Sequence, residues 1–398
     1  MRRGLSRNVY LLGLLSFFND FSSDMISPLL PAFLGTLGMG AVFLGWMEGL
    51  ANSLSHVTAL LSGWLDDRHH QSKRWTVAGY SLCAFIRPLF ALGLPPVIVA
   101  VRLLDRIGKG IRTAPRDHLL TDSIERSHWG RGFGVQRSMD HLGALVGPPI
   151  AALLLGYFSV PLPWLFAVAA LPAILSVLIV PRMIREPEVK RVRPAERPLS
   201  WRQLPKPFRR YLLVIFLIAL STPSELFLFL KLQEMGFPAY QQSLGWALLT
   251  AATMLAATLG GILSDYWSER RVMALGWALF AAVFVAIAYN QAAGWTWALL
   301  AVYGLQSGLV ESSERTYPAR MAPPAQRATM IGWYYFAYGA GMLPASVLFG
   351  WIWARWSPSS AFLAFAAMTL LTIPMLLMLP SSGRGKPEET PWDGAALR

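Results

Sequence analysis

The sequence predicts an all-α membrane protein with twelve transmembrane helices in two pseudo-symmetric six-helix bundles. Three observations lead there: the composition, the recurrence of apolar runs of spanning length, and the placement of the basic residues. Hydrophobic residues make up 54% of the 398 and the mean hydropathy is +0.43, too apolar for a water-facing surface. Only 14% of residues are charged, against about 25% in soluble domains, and they gather between the apolar runs.

A bilayer core of about 30 Å takes about 20 mostly apolar residues per helix. Twelve stretches qualify: 9–35, 42–66, 75–94, 96–114, 132–157, 163–184, 211–232, 242–264, 272–290, 294–315, 328–353 and 359–380. All must be helical, because lipid offers no partners to backbone N–H and C=O groups. The segment 185–210, rich in Arg, Lys and Pro, is too polar to enter the bilayer and reads as a cytoplasmic linker between an N-terminal bundle (1–184) and a C-terminal bundle (211–380). A polar tail, 381–398, follows.

A net charge of +13 and a pI near 10.2 would suit nucleic acid, but the distribution favours lipid. Arg2, Arg3 and Arg7 precede the first run, Arg68, Lys73 and Arg74 follow the second, and Lys109, Arg112, Arg116, Arg126 and Arg131 are read as lying between the fourth and fifth. Alternate connections, 93–96, 157–163 and 289–294, carry almost no charge. This is the positive-inside pattern, and it places both termini of a multi-pass membrane protein in the cytoplasm. The single cysteine, Cys83, lies in an apolar run and excludes an internal disulfide framework or a cysteine zinc site. No cleavable signal peptide is evident, since the first run is long and contains acids. His69, His70, His118 and His128 are expected on solvated loops, at no zinc spacing.

The two halves repeat each other, as transporter halves commonly do. Leu44-Gly45-Trp46 recurs as Leu244-Gly245-Trp246, and Gly63-Trp64-Leu65-Asp66-Asp67 as Gly261-Ile262-Leu263-Ser264-Asp265. Ser23-Asp24-Met25 parallels Ser224-Glu225-Leu226, and Asp105-Arg106 parallels Glu314-Arg315.

On these residues the chain resembles the major facilitator superfamily over essentially its whole length. The loop from Gly63 through Asp67, Arg68, Lys73 and Arg74 is similar to the family's G-x-L-x-D-R-x-x-R-K signature, with Gly261, Asp265, Arg270 and Arg271 in a second copy. It departs at Asp66, where a small residue is usual. Gly143, Gly147 and Pro148 in the fifth run resemble the glycine-proline motif of the drug:proton antiporter branch. The run Asp105-Arg106-Ile107-Gly108-Lys109-Gly110-Ile111-Arg112-Thr113-Ala114-Pro115-Arg116-Asp117 is similar to a subgroup of bacterial permeases of that superfamily.

An ionisable group within a span is costly and marks function by default. Asp20 and Asp24 stand one turn apart on the first helix; Glu48, Asn52 and His56 continue such a stripe on the second; Arg102, Asp105, Arg106 and Lys109 form one on the fourth. Glu225 is read as mid-span in the seventh helix beside Pro223, and Glu311, Glu314 and Arg315 end the tenth. Arg137, Asp140 and His141 cluster on the fifth, and Tyr334 and Tyr338 share a face of the eleventh. The resemblance implies that the first, fourth, seventh and tenth helices line a central cavity. Acids and bases pairing as structural bridges between helices are the competing reading for Asp105 with Arg106 and Glu314 with Arg315.

These residues point to alternating-access secondary transport, without catalytic residues, cofactor or bound metal, in a monomer whose partners are a small solute, protons and membrane lipid and not nucleic acid. The expected chemistry is proton-coupled export of a small polar or amphipathic organic molecule. Proton-coupled import of a metabolite or a metal chelate such as a siderophore stays open, and a membrane sensor or enzyme is a remote alternative. Asp20, Asp24, Glu48, Asp105, Glu225, Glu311 and Glu314 are the candidates for proton coupling. Asn52, His56, Arg102, Arg106, Arg137, Asp140, His141, Tyr334 and Tyr338 are the candidates for solute contact, and the two signature loops are expected to latch the cytoplasmic side.

Overall fold

An apolar run free of proline folds as one helix, while proline removes a backbone donor and disfavours helical geometry in the residue before it. The computed structural model shows proline acting in two ways: it accompanies the breaks in the first and seventh spans, yet Pro115, Pro148, Pro149, Pro172, Pro344 and Pro374 lie inside continuous helices. The structure describes residues 6–69, 71–124, 129–185, 201–321 and 327–379, and every regular element among them is helical. In chain order these are α1 (Arg7–Ile26), α2 (Leu30–Thr36), α3 (Ala41–His69), α4 (Ser72–Ile86), α5 (Pro95–Asp122), α6 (Trp129–Gly156), α7 (Leu162–Ile179), α8 (Lys206–Leu220), α9 (Leu226–Glu234), α10 (Ala239–Tyr266), α11 (Glu269–Tyr289), α12 (Ala293–Met321), α13 (Arg327–Arg355) and α14 (Pro358–Leu377).

The first and seventh spans, expected as single helices, are each broken. In the first, a 3-10 turn at Ser27–Leu29 separates α1 from α2, with Pro28 and Pro31 removing two donors. In the seventh, α8 stops before Pro223 and α9 starts after Glu225. The Ser221 and Thr222 hydroxyls donate back to the Ile218 carbonyl at 2.9 and 2.8 Å, adding to the bond it already accepts from the Ser221 N–H at 2.9 Å. Glu225 therefore stands at the head of α9, not in the middle of a continuous span. Both spans are thus broken, but at different places relative to the repeated triplet: Ser23-Asp24-Met25 lies within the last turns of α1, before its break, whereas Ser224 and Glu225 lie in the break itself.

A second correction concerns the fourth span. Proline at 115 and the run of bases suggest an end near 114, but α5 continues through Pro115 to Asp122. Arg116, beyond the expected span, and Arg112, near its expected end and read together with the following bases as part of the connection, are both buried in the helix. His118, also expected on a solvated loop, lies on the same helix, with Nδ1 2.9 Å from Asp66 and Nε2 3.5 Å from Asp122. The Ser72 hydroxyl donates to Asp66 at 2.7 Å. The acid that departs from the family's loop signature is thus held between α4 and α5. His69 ends α3 and is exposed, while His70 and His128 lie outside the described residues.

Spatial contacts divide the chain into two units: Met1–Pro194 with Ser224–Thr250, and Ala195–Pro223 with Ala251–Arg398. In the first, α1 packs chiefly on α6 and α7, and α5 lies against both α3 and α4. Its apolar core includes Val9, Leu12, Leu15, Tyr80, Leu119, Leu120 and Val177. One end is tied by polar bonds: Lys73 Nζ donates to the Ile184 carbonyl and Asn8 Nδ2 to the Arg185 carbonyl, both at 2.7 Å. In the same unit Gln233 of α9 lies beside Gly35 of α2.

In the second unit α11 packs on α12 and α14, and α8 on α13. Phe208, Tyr211, Ile215, Met273, Trp277, Tyr317, Met330 and Tyr334 are buried together. A second aromatic set, Phe284, Phe349, Phe362 and Phe365, meets largely edge to face. Arg270 donates to the Leu377 carbonyl at 3.1 Å and to that of Leu379, tying the start of α11 to the end of α14.

By length and composition alone, six helical stretches among the described residues could cross a membrane: Ser72–Leu92, Gly132–Gly156, Leu162–Arg182, Glu269–Tyr289, Met330–Arg355 and Pro358–Leu377. They are the third, fifth and sixth spans and their repeats, the ninth, eleventh and twelfth. Charge or a break sets the remaining spans apart. Trp164, Leu171 and Leu175 on α7 and Leu370 and Leu371 on α14 are exposed, as side chains facing acyl chains would be.

The crossing of α1 and α6 depends on missing side chains. A Cβ placed on Gly143 or Gly147 would run into the Phe17 or Phe21 carbonyl, and backbone so close cannot yield as a flexible side chain can. Gly143→Leu should lower the melting temperature of the detergent-purified protein sharply, by overpacking worth at least about 1–3 kcal/mol. Gly134→Ala on the same helix, where an added Cβ meets nothing within 4 Å, should leave it unchanged.

Candidate functional site

At about 100° per residue, the spacing of Arg102, Arg106, Lys109, Arg112 and Arg116 places five cations within an arc of about 120° along α5, with Asp105 inside it. Gly108 and Gly110 lie at the two edges of that stripe. On one edge, a Cβ on Gly108 would come within 2.9 Å of the Gly79 carbonyl, so α5 sits directly on α4. On the other, a Cβ on Gly110 would collide with Thr58 and the Ser55 carbonyl of α3, and the Ser62 hydroxyl donates to the Gly110 carbonyl at 3.1 Å. The glycines of this motif let two neighbours approach closely, and the charges between them face the rest of the unit.

Most of these charges are paired. Arg102 donates to both Glu48 oxygens, at 2.5 and 2.8 Å, with the two residues 3% and 1% exposed. Ser224 donates to the same carboxylate at 3.3 Å. Asp105 is held by Arg87, from the 3-10 turn after α4, at 2.9 Å, and Arg87 also donates to the Asn19 carbonyl at 2.9 Å. The Asp105 partner is therefore Arg87 and not its neighbour Arg106, because adjacent residues on a helix point in different directions. Arg112 lies 3.5 Å from Asp20 and 4.3 Å above the Tyr80 ring. Arg116 contacts Asp117 at 2.9 Å and Asp140 at 3.9 Å, while Arg137 contacts Asp140 at 3.5 Å.

Three charges in this region form no ion pair among the described residues: Asp24, Arg106 and Lys109. They lie within electrostatic reach of one another. Asp24 and Arg106 are half-buried, Lys109 is exposed, and the Arg106 Nε is buried with no hydrogen-bond partner. Asp20, one turn from Asp24, accepts from the Asn19 amide at 2.8 Å. Asn52, His56 and His141 are half-buried on α3 and α6.

The second unit treats its acid differently. Glu314 accepts from the Trp277 indole at 3.2 Å and the Tyr334 hydroxyl at 3.0 Å, and its carbonyl accepts from Tyr211 at 2.8 Å. Tyr334 is thereby part of a packed core, with Tyr338 6.2 Å from it ring to ring. Glu311 is half-buried one turn earlier on α12. Of the signature loops, Gly63 packs on Ala114, Arg68 lies 5.7 Å over the Trp64 ring and Arg271 is exposed. The side chains of Asp67, Gly261, Asp265 and Arg315 lie outside the described residues.

Sequence reasoning missed Arg87 and misplaced Arg112, Arg116 and Asp66. The signals were present: Arg87 is a lone base in an apolar run, and Arg112 and Arg116 continue the helical spacing begun by Arg102. Both were masked by proline, at 88 and 115.

The Major Facilitator Superfamily profile matches residues 12–260 and 233–397. An uncharacterized MFS-type transporter of Methanocaldococcus jannaschii is 30% identical over 390 residues, covering 95% of this chain and 96% of that one. The chain belongs to the major facilitator superfamily. Two solved structures share its fold. A POT family transporter in complex with 5-aminolevulinic acid has a TM-score of 0.78 at 12% identity, covering 95% of this chain and 96% of the other. A D-xylose-proton symporter has a TM-score of 0.75 at 12% identity, covering 94% and 98%. This superfamily member is accordingly an all-α, multi-pass membrane transporter and not an enzyme.

In such a protein the Glu48 and Arg102 pair is a structural commitment. Removing one member of a buried pair leaves an uncompensated charge and costs about 3–5 kcal/mol. Glu48→Gln should therefore lower the melting temperature substantially, and pairing it with Arg102→Met should restore much of the loss. Arg106→Gln, with no ion pair to break, should leave the melting temperature near that of the parent.

Proposed function

We propose that this transporter exports a small zwitterionic or chelate-like organic solute in exchange for protons, at a site formed by Asp24, Arg106 and Lys109. The observation that carries the reading is that these three charges stay without ion pairs in a region where the other carboxylates are matched to arginine. Unmatched charge amid hydrocarbon is expensive and is tolerated where it borders water or awaits a ligand. An anionic group of the solute would face Arg106 and Lys109, and a cationic group or coordinated metal would face Asp24. A proton arriving on Asp24 removes its negative charge and with it the attraction for the solute's cationic part. Solute and proton then compete for one carboxylate, which is the requirement for exchange.

Asp20, paired with Arg112, and Glu225, at the head of α9, are further carboxyls through which the proton could pass. The placement of bases along the chain supports cytoplasmic termini and residence in a bacterial inner membrane. Gly143, Gly147 and Pro148 support the antiporter-like branch. A second reading is favoured by the excess of two cations over one acid: a purely anionic solute would bind together with a proton on Asp24, giving proton-coupled import.

The tests begin with a thermal-shift screen of zwitterions, organic anions and ferric chelates, followed by reconstitution of the protein in liposomes with a ligand that binds. A pH gradient should drive solute against the proton flux. Asp24→Asn and Arg106→Gln should each abolish gradient-driven movement, by about 100-fold or more, while the proteins keep their melting temperature. Undiminished transport in both variants would rule the site out, and solute moving with the protons would select import.

A further inference from the structure

The α8 helix opens with Lys206, Arg209 and Arg210, and none of these three bases forms an ion pair among the described residues. Directly beyond them the same helix presents Leu213 and Phe216 to α13, which offers Ala337 and Ala340 after the larger Trp333 and Phe336. The small residues leave room where neighbouring positions fill it. The result is a groove of about 600 Å³ on the second unit, with Trp201 closing its basic end. Trp201 and Trp333 lie with their rings 5.7 Å apart, and Trp333 meets Phe336 edge to face at 5.7 Å. At the far end the groove closes because Gly341 lets α13 touch α8, where an added Cβ would be 2.7 Å from Ala219.

Polarity runs along this groove in one direction. The bases occupy the first turn of α8, and Phe216 is about 10–15 Å further along the helix at 1.5 Å per residue. A soluble anion would use only the basic end and leave an apolar trough wetted. A neutral acyl chain would use only the trough and leave three cations unmatched. The volume is within the roughly 300–1,000 Å³ of ordinary small-molecule sites, and basic pockets between membrane helices suit anionic headgroups.

We propose that this groove is a binding site for one anionic phospholipid, its phosphate at Lys206, Arg209 and Arg210 and an acyl chain between α8 and α13 along Phe216, Phe336 and Ala340. The site is separate from the charged residues of α5 and does not depend on the solute assigned to them. The bases form the end of the segment 185–210 expected as a cytoplasmic linker, so the lipid comes from the leaflet facing that linker.

The test uses native mass spectrometry of the full-length protein in mild detergent, titrated with phosphatidylglycerol, with phosphatidylcholine of the same chains, and with inorganic phosphate. The expected result is retention of one phosphatidylglycerol at least about tenfold more tightly than phosphatidylcholine, with no comparable binding of inorganic phosphate. The triple variant K206Q/R209Q/R210Q should lose that preference, and Ala340→Trp, which fills the trough while keeping every charge, should lose the bound lipid. Both variants are checked for an unchanged melting temperature in lipid-free detergent. If Ala340→Trp is misfolded, Ala337→Leu replaces it. Equal retention of the two lipids, or unchanged phosphatidylglycerol binding in the triple or the trough-filling variant, would overturn the proposal. Inorganic phosphate binding as tightly as the lipid would overturn it too, by showing a simple anion site.

Discussion

The pairing of charge across helices in a medium without water is the constraint on which the first unit depends. Four charged groups on α5 are buried, and each takes a partner on another element. Arg102 fixes Glu48 on α3, Asp105 fixes Arg87 beyond α4, Arg112 reaches Asp20 on α1, and Arg116 contacts Asp140 on α6. One helix thereby sets the arrangement of four neighbours. Charge pairs of this kind add little net stability, because desolvation offsets much of the attraction, yet removing one member leaves the other buried and uncompensated.

Glycine makes that arrangement possible. Bidentate contact between Arg102 and Glu48 requires the backbones of α5 and α3 to be close, and Gly110 supplies the space. Gly79 and Gly108 do the same between α4 and α5, and Gly143 and Gly147 between α1 and α6. In lipid, where apolar surfaces gain little by leaving their surroundings, close backbone approach and its dispersion contacts are a main source of helix association. The two motifs that the sequence suggests for function, around Gly108 and around Gly147, are therefore also the ones that set helix spacing. The same residues can do both, since a site made of charges is only as precise as the crossings that position them.

Glu48, Asp105 and Asp20 in the first unit face guanidinium groups. Glu314 in the second accepts from an indole and a phenol within an aromatic core, so aromatic side chains enter the surroundings of that acid where Asp105 meets Arg87. Asp24, Arg106 and Lys109, which form no ion pair among the described residues, belong to the first unit.

The sequence by itself determined the helical class, the number of spans and the repeat, because apolar length and the absence of backbone partners in lipid leave a single solution. It also exposed Asp24, Arg106 and Glu48 as residues needing explanation, because charge within such runs is visible without coordinates. Tertiary structure alone decided which of them are matched. Arg87 looked like part of an apolar run and Arg116 like a loop, since the neighbouring prolines at 88 and 115 obscured the turn and the helix that carry them. Ion pairing depends on crossings between helices distant in the chain, such as α1 with α5, and local pattern holds no record of those distances. The groove beside Lys206 was equally invisible in one dimension, being the gap between two helices more than 100 residues apart whose small side chains happen to face each other.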